Sequence, residues 1–372
     1  MEELYKIYIK QCIELAKNGE GHVSPNPLVG AIVLDKDGNF AGSGWHQKYG
    51  EPHAEPNAIK NAEQNGFDCK GGTIFVSLEP CCHYGKTPPC ADLIISKGFK
   101  KVIIGCTDPN PKVAGKGIEK LKTAGIEVIS GVLEEECKTL NEIFIKNQLQ
   151  KAPFVAIKTA TTLDGKIATK TGSSKWITAE KARKQVHRLR NKFDAIITGS
   201  GTVIADDPSM TCRLTMEEYG ICGRNTERVI VESGAKTDPC AKIFADDGTK
   251  VILAVCENIE DEKISKYPPN VEILKCSIDA ATGKLDLKKL TALLYEKGCC
   301  SLLVEAGGYL NGAFLKAGLA DKVYQFIAPK ILGDDDAMGF VRGFDVAEIS
   351  QGKTFKIQSV QNFDPDILVT YS

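Results

Sequence analysis

Apolar positions along this chain alternate between helical spacing and short continuous runs, and that alternation predicts an α/β protein. Leu4, Tyr8, Cys12, Leu15 and Ala16 mark one face of a helix over residues 2–17, which Asn18-Gly19 closes. Residues 29–34 predict a buried strand, and Asp35-Lys36-Asp37-Gly38-Asn39 the turn into a second. A helix over 53–65 stops at Gly66, and strand 73–78 runs straight into Glu79-Pro80-Cys81. Cys90 opens a helix that ends at Lys97-Gly98; strand 101–106, a helix from Gly117, strand 126–130 and a helix from Glu134 follow. This series covers about 145 residues and argues for a mainly parallel sheet covered by helices.

The pattern restarts after Lys151-Ala152-Pro153, with strands expected at 154–159, 195–198, 228–231, 250–255, 271–275, 301–305 and 322–327. A chain of 372 residues exceeds one ordinary core, so two domains are expected. The break falls between 146 and 152, which gives domains 1–147 and 148–372.

Composition narrows the class. The formal net charge is -1, with Lys and Arg interspersed among Asp and Glu, so nucleic acid and anionic membrane are not expected partners. No apolar run reaches the roughly 18 residues of a membrane span. Residues 1–20 lack the apolar stretch of an export signal, and the expectation is a cytoplasmic protein. Fourteen cysteines fit that setting as reduced thiols, mostly single small hydrophobes such as Cys12, Cys106 and Cys256. The neighbouring pairs Cys81-Cys82 and Cys299-Cys300 are poorly placed to bridge.

Two segments depart from this plain picture. His53-Ala54-Glu55 and the two Pro-Cys steps at Cys81 and Cys90 offer one imidazole, two thiols and a carboxylate. Three such N and S ligands make a catalytic zinc site with one position open to water, whose pKa the metal lowers towards neutrality. Cys90 follows Pro88-Pro89 at a helix start, where the dipole favours a thiolate. Glu55, two residues beyond His53, points elsewhere on its helix and suits a proton shuttle better than a fourth ligand. Eight residues separate the cysteines where the general deaminase signature has two, and Cys82 and His83 inside that insert are competing ligand candidates. A nucleobase or tRNA deaminase would show the short spacing and a basic face. A silent zinc module would lack the shuttle, and Glu55 is present.

The long insert, Leu78-Glu79-Pro80-Cys81-Cys82-His83-Tyr84-Gly85-Lys86-Thr87-Pro88-Pro89-Cys90, resembles that of the riboflavin-pathway deaminases. Ser24-Pro25-Asn26-Pro27-Leu28-Val29-Gly30, Gly44-Trp45-His46, Asp108-Pro109-Asn110-Pro111 and Ala114-Gly115-Lys116-Gly117 fit the same family. The resemblance implies a cytidine-deaminase-like three-layer domain acting on a diaminopyrimidinone that carries a ribosyl phosphate. It implies that Asn26, His46 and Lys86 hold this substrate over the metal. Asn26 has both donor and acceptor for a pyrimidine edge, and Lys86 a mobile charge for phosphate. Pro56 departs from the family pattern, but a proline is tolerated in a first helical turn.

The second half has no GxGxxG turn. Its strand 301–305 leads through Ala306-Gly307-Gly308 into a helix, a plausible anion seat. Lys158-Thr159-Ala160, Leu163-Asp164-Gly165-Lys166, Ser174-Lys175-Trp176 and the stretch from Thr202 to Pro208 resemble the reductase domain that accompanies this deaminase in bacterial riboflavin synthesis. That resemblance implies a dihydrofolate-reductase-like fold, NADPH as cofactor, reduction of the ribosyl unit to ribityl, and a homo-oligomer. It assigns Ala160, Trp176, Thr202, Asp206, Ser233, Gly307, Gly308, Tyr309, Leu310, Asn311, Gly312 and Ala313 to the cofactor. It assigns Ser174, Arg190, Met210, Arg213 and Glu305 to the sugar phosphate, where guanidinium groups suit phosphate oxygens. For the reductive step only Glu305 or a water offers itself as acid, and His22 and His187 read as structural or solvated.

Overall fold

Short connections decide much of the first sheet, as seen in a computed structural model that describes residues 2–84, 88–110, 114–219 and 223–372. The chain divides into two units, Met1–Lys151 and Ala152–Ser372. The first contains α1 (Glu2–Ala16), β1 (Gly30–Leu34), β2 (Phe40–Trp45), α2 (Ala54–Gln64), β3 (Thr73–Leu78) and α3 (Cys90–Ser96). It continues with β4 (Lys101–Cys106), α4 (Lys116–Thr123), β5 (Glu127–Ser130), α5 (Glu134–Leu140) and α6 (Glu142–Gln150).

The strand order is β2-β1-β3-β4-β5. Pairs β3/β4 and β4/β5 are parallel, whereas β1 runs antiparallel to both β2 and β3, so the sheet is mixed rather than mainly parallel. The cause lies at 35–39, where the Asp35 carboxylate accepts the Asp37 and Asn39 amides and closes a turn too short for a parallel crossover. Residues Ile32, Phe75, Val76, Ile103 and Ile104 form the buried centre, covered by Ile9, Cys12, Ala58 and Ile59 from α1 and α2.

Two glycines set how closely α2 approaches the sheet. A Cβ on Gly42 would lie 2.4 Å from the Ala62 nitrogen, and one on Gly44 2.4 Å from the Ala58 nitrogen. Asn57 and Asn61 then fasten α2 to β2 through the Trp45 carbonyl and the Ser43 amide. The first turn of α2 is thereby placed beside the end of β3.

The second unit begins with β6 (Phe154–Thr162), β7 (Lys166–Ala168), α7 (Glu180–Lys192), β8 (Ala195–Gly199), α8 (Ser200–Asp206), α9 (Met216–Tyr219), β9 (Glu227–Val231) and β10 (Val251–Cys256). Next come α10 (Asp261–Ile264), β11 (Val271–Cys276), β12 (Ile278–Asp279), β13 (Lys284–Leu285), α11 (Leu287–Glu296), β14 (Ser301–Val304) and α12 (Gly308–Lys316). β15 (Lys322–Ala328), β16 (Met338–Gly339), β17 (Ile357–Phe363) and β18 (Asp366–Tyr371) complete it.

Nine of these strands form one sheet in the order β11-β10-β9-β8-β14-β6-β15-β18-β17. All pairings from β11 to β15 are parallel. The antiparallel β17–β18 hairpin was not among the expected strands. Its outer strand, IQSVQNF, exposes Ile357 and Val360 and so lacks a buried-strand pattern. The small β16 pairs with β7, and the segment after it runs across the start of α12.

Candidate metal centre and dinucleotide site

Three ligand candidates converge where β3 ends and α2 and α3 begin. His53 is the extended N-cap of α2 rather than a residue of its first turn, and Glu55 lies inside that turn. Cys81 follows β3 through Glu79-Pro80, and Cys90 is the first residue of α3. The Nδ1 atom of His53 lies 3.7 Å from the Cys81 Sγ and 3.4 Å from the Cys90 Sγ. All three ligand atoms fall within 4.8 Å of one another. A tetrahedral zinc with bonds of about 2.05 Å to nitrogen and 2.3 Å to sulfur holds such atoms about 3.6 Å apart, so the set fits the ion. Among the described residues no other cluster of this kind occurs, and Cys82 and His83 stand outside it.

Charge in the cluster is arranged for a cation. A hydrogen bond from the Cys90 thiol, aided by His53, holds the Cys81 thiol well below the usual thiol range despite burial. Cys90, donating to Cys81 and buried, is pushed upward. The Cys90 amide, at the start of α3, also donates to the Cys81 sulfur at 3.3 Å. Glu55 is buried, and burial together with the Cys81 charge raises its carboxyl to about 7. Among the described residues its Oε2 has no hydrogen-bond partner. A fully buried carboxylate oxygen left unbonded beside a ligand set marks a position for a group the chain itself does not supply. Pro56 occupies the third position of α2, where no intrahelical N–H bond is lost.

Two of the three expected substrate residues join this cluster. Asn26 Nδ2 lies 3.1 Å from His46 Nε2, and the His46 ring packs edge-on against His53 at 5.1 Å. His46 Nδ1 is 3.1 Å from the Pro52 carbonyl, which can only accept, so Nε2 receives the Asn26 proton and the ring is neutral. Burial lowers its pKa in keeping. Lys86 lies outside the described residues.

In the second unit the expected residues gather at the carboxyl ends of β6, β8 and β14, where open parallel sheets bind ligands. Thr202 from α8 faces Gly307 across 4.0 Å, measured from a Cβ built on that glycine. Ser174 Oγ donates to Asp206 at 2.8 Å, and Lys175 Nζ to the Asp206 carbonyl at 3.2 Å. Trp176 is exposed, stacked at 4.5 Å on the Arg183 guanidinium, and its carbonyl accepts from Lys330. Ala160 and Ser233 are half-buried, on β6 and just past β9. Tyr309 is exposed between Lys284 and Arg342, with Leu310 and Ala313 half-buried beside it.

Three residues assigned to the cofactor also make close packing contacts within the chain. A Cβ on Gly308 would lie 2.3 Å from the Gly339 carbonyl, and one on Gly312 only 1.9 Å from that of Arg342. Asn311 is fully buried and donates to the Ala306 and Phe340 carbonyls. The two glycines therefore admit the 339–342 backbone against the start of α12.

Arg190 is likewise not an open fork. Its Nε and Nη2 grip both oxygens of Glu305 at 2.7 and 3.0 Å, while Nη1 and Nη2 reach the Thr211 carbonyl and the Met210 sulfur. Four of five donors are thus engaged. Lys158, from β6, adds a second cation 3.6 Å from Glu305. Burial alone would raise the Glu305 pKa, but Arg190 and Lys158 outweigh it and hold the carboxyl at about 2. Arg213 is exposed; its amide donates to His187 Nδ1, and its guanidinium reaches Ser209 Oγ. Sequence reading passed over Lys158 as a site residue, although a lone cation in the apolar run FVAIKTATT was a usable signal.

Known proteins resemble the chain along its whole length. The model of the cytidine and deoxycytidylate deaminase zinc-binding region matches residues 2–106, and that of the RibD C-terminal domain matches residues 153–369. The riboflavin biosynthesis protein RibD of Actinobacillus pleuropneumoniae is 40% identical, over 98% of this chain and 94% of its own. The chain belongs to the RibD family. RibD of Escherichia coli K12 is 36% identical over 97% of both chains. Among solved structures, a diaminohydroxyphosphoribosylaminopyrimidine deaminase/5-amino-6-(5-phosphoribosylamino)uracil reductase from Thermotoga maritima has 42% identity and a TM-score of 0.87, covering 100% of this chain and 99% of its own. RibD of Acinetobacter baumannii follows at 36% identity and 0.86, with the same coverage. Membership makes the chain a two-domain enzyme of riboflavin biosynthesis, a zinc deaminase followed by a reductase. No helix among the described residues is long and apolar enough to cross a membrane.

Proposed function

We propose that His53, Cys81 and Cys90 hold the zinc, that Glu55 moves protons beside it, and that the second unit uses NADPH. The substrate is then the diaminopyrimidinone carrying a ribosyl phosphate, deaminated first and reduced at its sugar second. The unpartnered, buried Glu55 Oε2 beside the three ligand atoms is the observation that carries this reading. Zinc bound there supplies Lewis acidity that makes water a nucleophile near neutral pH. Glu55 Oε2 carries a proton from the attacking water to the departing amine, and burial near 7 suits both directions of transfer. Asn26, ordered by neutral His46, presents its amide to the pyrimidine edge, and Lys86 meets the phosphate.

In the second unit the dinucleotide supplies the hydride, and the chain must orient it and exclude water. Ala160, Trp176, Thr202, Asp206, Ser233 and the stretch from Gly307 to Ala313 line that cofactor, and Gly308, Asn311 and Gly312 also pack the start of α12 against the 339–342 backbone. Two cations near Tyr309, Lys284 and Arg342 at 5.6 and 5.8 Å from its ring, support a preference for the additional phosphate of NADPH. Arg213 and Ser174 take the sugar phosphate, joined by Met210 and by the Arg190–Glu305 pair that shapes the floor.

Glu55→Gln tests the assignment. It should keep one zinc per chain, reduce ammonia release by at least about a hundredfold, and leave NADPH oxidation on the deaminated intermediate intact. Loss of both activities together would contradict separate sites.

A further inference from the structure

Glu79 is buried at the end of β3, two residues before Cys81, and the proposed mechanism gives it no part. Its carboxylate accepts four backbone amides. Oε2 takes Asp108 at 3.2 Å and Gly115 at 2.9 Å, and Oε1 takes Gly117 at 2.9 Å and Ile118 at 3.2 Å. The first lies just beyond β4 and the others at the start of α4. A carboxylate there meets the positive end of the helix as well as its unpaired N–H groups. The Glu79 amide also donates to the Cys106 carbonyl at 2.9 Å, so main chain and side chain bind the same neighbour. The approach is close: a Cβ on Gly117 would sit 2.2 Å from the Pro80 carbonyl and 3.2 Å from Glu79 Oε1.

We propose that Glu79 is a positioning residue of the deaminase, fastening the Asp108 exit of β4 and the first turn of α4 to the turn that carries Cys81. This rests on the deaminase reading above. β3 and β4 are adjacent parallel strands, and the segments leaving their carboxyl ends flank the same crevice. The described residues 108–110 therefore leave β4 at the same end of the sheet as Cys81, whose charge reaches the Asp108 carboxyl, and Glu79 sets where they stand. His53 caps α2, Glu55 lies in its first turn and Cys90 opens α3, whereas the four amides that donate to the Glu79 carboxylate belong to residues 108–118. Loosening Glu79 should therefore change how substrate is held more than how it reacts.

Glu79→Gln in the full-length zinc enzyme tests this. The amide keeps one oxygen, so it can serve one pair of N–H donors but opposes the other pair with its own NH2. Zinc per chain should stay unchanged, kcat within about twofold, and KM for the pyrimidine substrate should rise about tenfold, equal to ~1.4 kcal/mol. Hydrogen exchange at Asp108, Gly115, Gly117 and Ile118 should accelerate. An unchanged KM would overturn the proposal. So would kcat and zinc content falling together at constant KM, since Glu79 would then merely hold the metal turn. If the variant does not fold, the wild-type enzyme decides: these four amides should exchange slowly, and more slowly with the deaminated product bound, whereas no response to product overturns the proposal. A wild-type enzyme that releases no ammonia would sink the deaminase reading instead, and exchange at the four amides would still report on Glu79 itself.

Discussion

Replacing Glu305 by Gln should destabilise the second unit strongly, because it strands two buried cations. Arg190 and Lys158 side chains are only 13% and 16% exposed, and Glu305 is the carboxylate between them. Its pKa, held at about 2 against the ordinary 4.5, measures how much the site favours the charged form. At ~1.4 kcal/mol per unit, that preference is about 3 kcal/mol at pH 7. Breaking one partner of a buried ion pair costs about 3–5 kcal/mol by comparison, so the two routes agree. The sign follows from the depressed pKa. The stabilisation is fully present above about 4.5 and is lost as pH falls towards about 2, so at pH 3 it should shrink to roughly 1.5 kcal/mol. Native-state hydrogen exchange at Leu302–Val304 in the middle of the large sheet reads the opening energy of this unit within the full chain. A wild-type advantage below about 1 kcal/mol at pH 7, or one that does not narrow with acid, would refute the reasoning.

Cys90→Ser should weaken zinc retention at least about tenfold, since a poorly ionised hydroxyl replaces a thiolate, and ammonia release should fall in step while NADPH oxidation persists; full zinc occupancy would contradict the ligand set. Gly312→Ala places a Cβ 1.9 Å from the Arg342 carbonyl, a backbone atom that cannot swing aside, and should cost the second unit about 1–3 kcal/mol by thermal unfolding; an unchanged transition would refute the packing role. Burial, with Arg190 and Arg213 nearby, lowers the His187 pKa to about 4, so its share of stability is complete above about 6.5 and is lost as pH falls towards 4. An NMR titration of that ring with a midpoint near 6.5 would count against it.

The metal cluster was legible in the sequence because its parts are local. Pro-Cys steps at a strand end and a helix start, and a histidine before a helix, announce their geometry within a few residues. Even there the position of His53 as cap was settled only by the packing of α2 on Gly42 and Gly44. The Lys158–Glu305–Arg190 group was less legible, since β6, α7 and the end of β14 contribute one residue each and only the sheet order brings them together. Arg190 was read as an open phosphate ligand because sequence cannot show which carboxylate already fills a guanidinium. Gly308 and Gly312 carried a similar ambiguity: a glycine that admits a phosphate and one that admits a neighbouring backbone look alike until the neighbour is known. The outer hairpin strand β17 was missed because its side chains face outward on a sheet edge and leave no burial pattern.

The placement of β14 has a consequence for how the chain is made. It lies between β6 and β8, pairing Leu302 with Val155 on one side and Ala195 on the other, across more than a hundred residues of sequence. During synthesis β6 and β8 emerge first and must wait for residues 301–304, β8 with one apolar edge unpaired and β6 with both, since its other neighbour β15 comes later still. Such non-local closure is slow and leaves a sticky intermediate. A ribosome stalled before residue 301, or a truncation there, would release β8 to β11 as a half-sheet with the β8 edge bare and β6 without either neighbour, prone to capture by chaperones or by another such fragment. Among the described residues the first sheet takes all its strands from the first unit, so it is free to close while the second is still being translated.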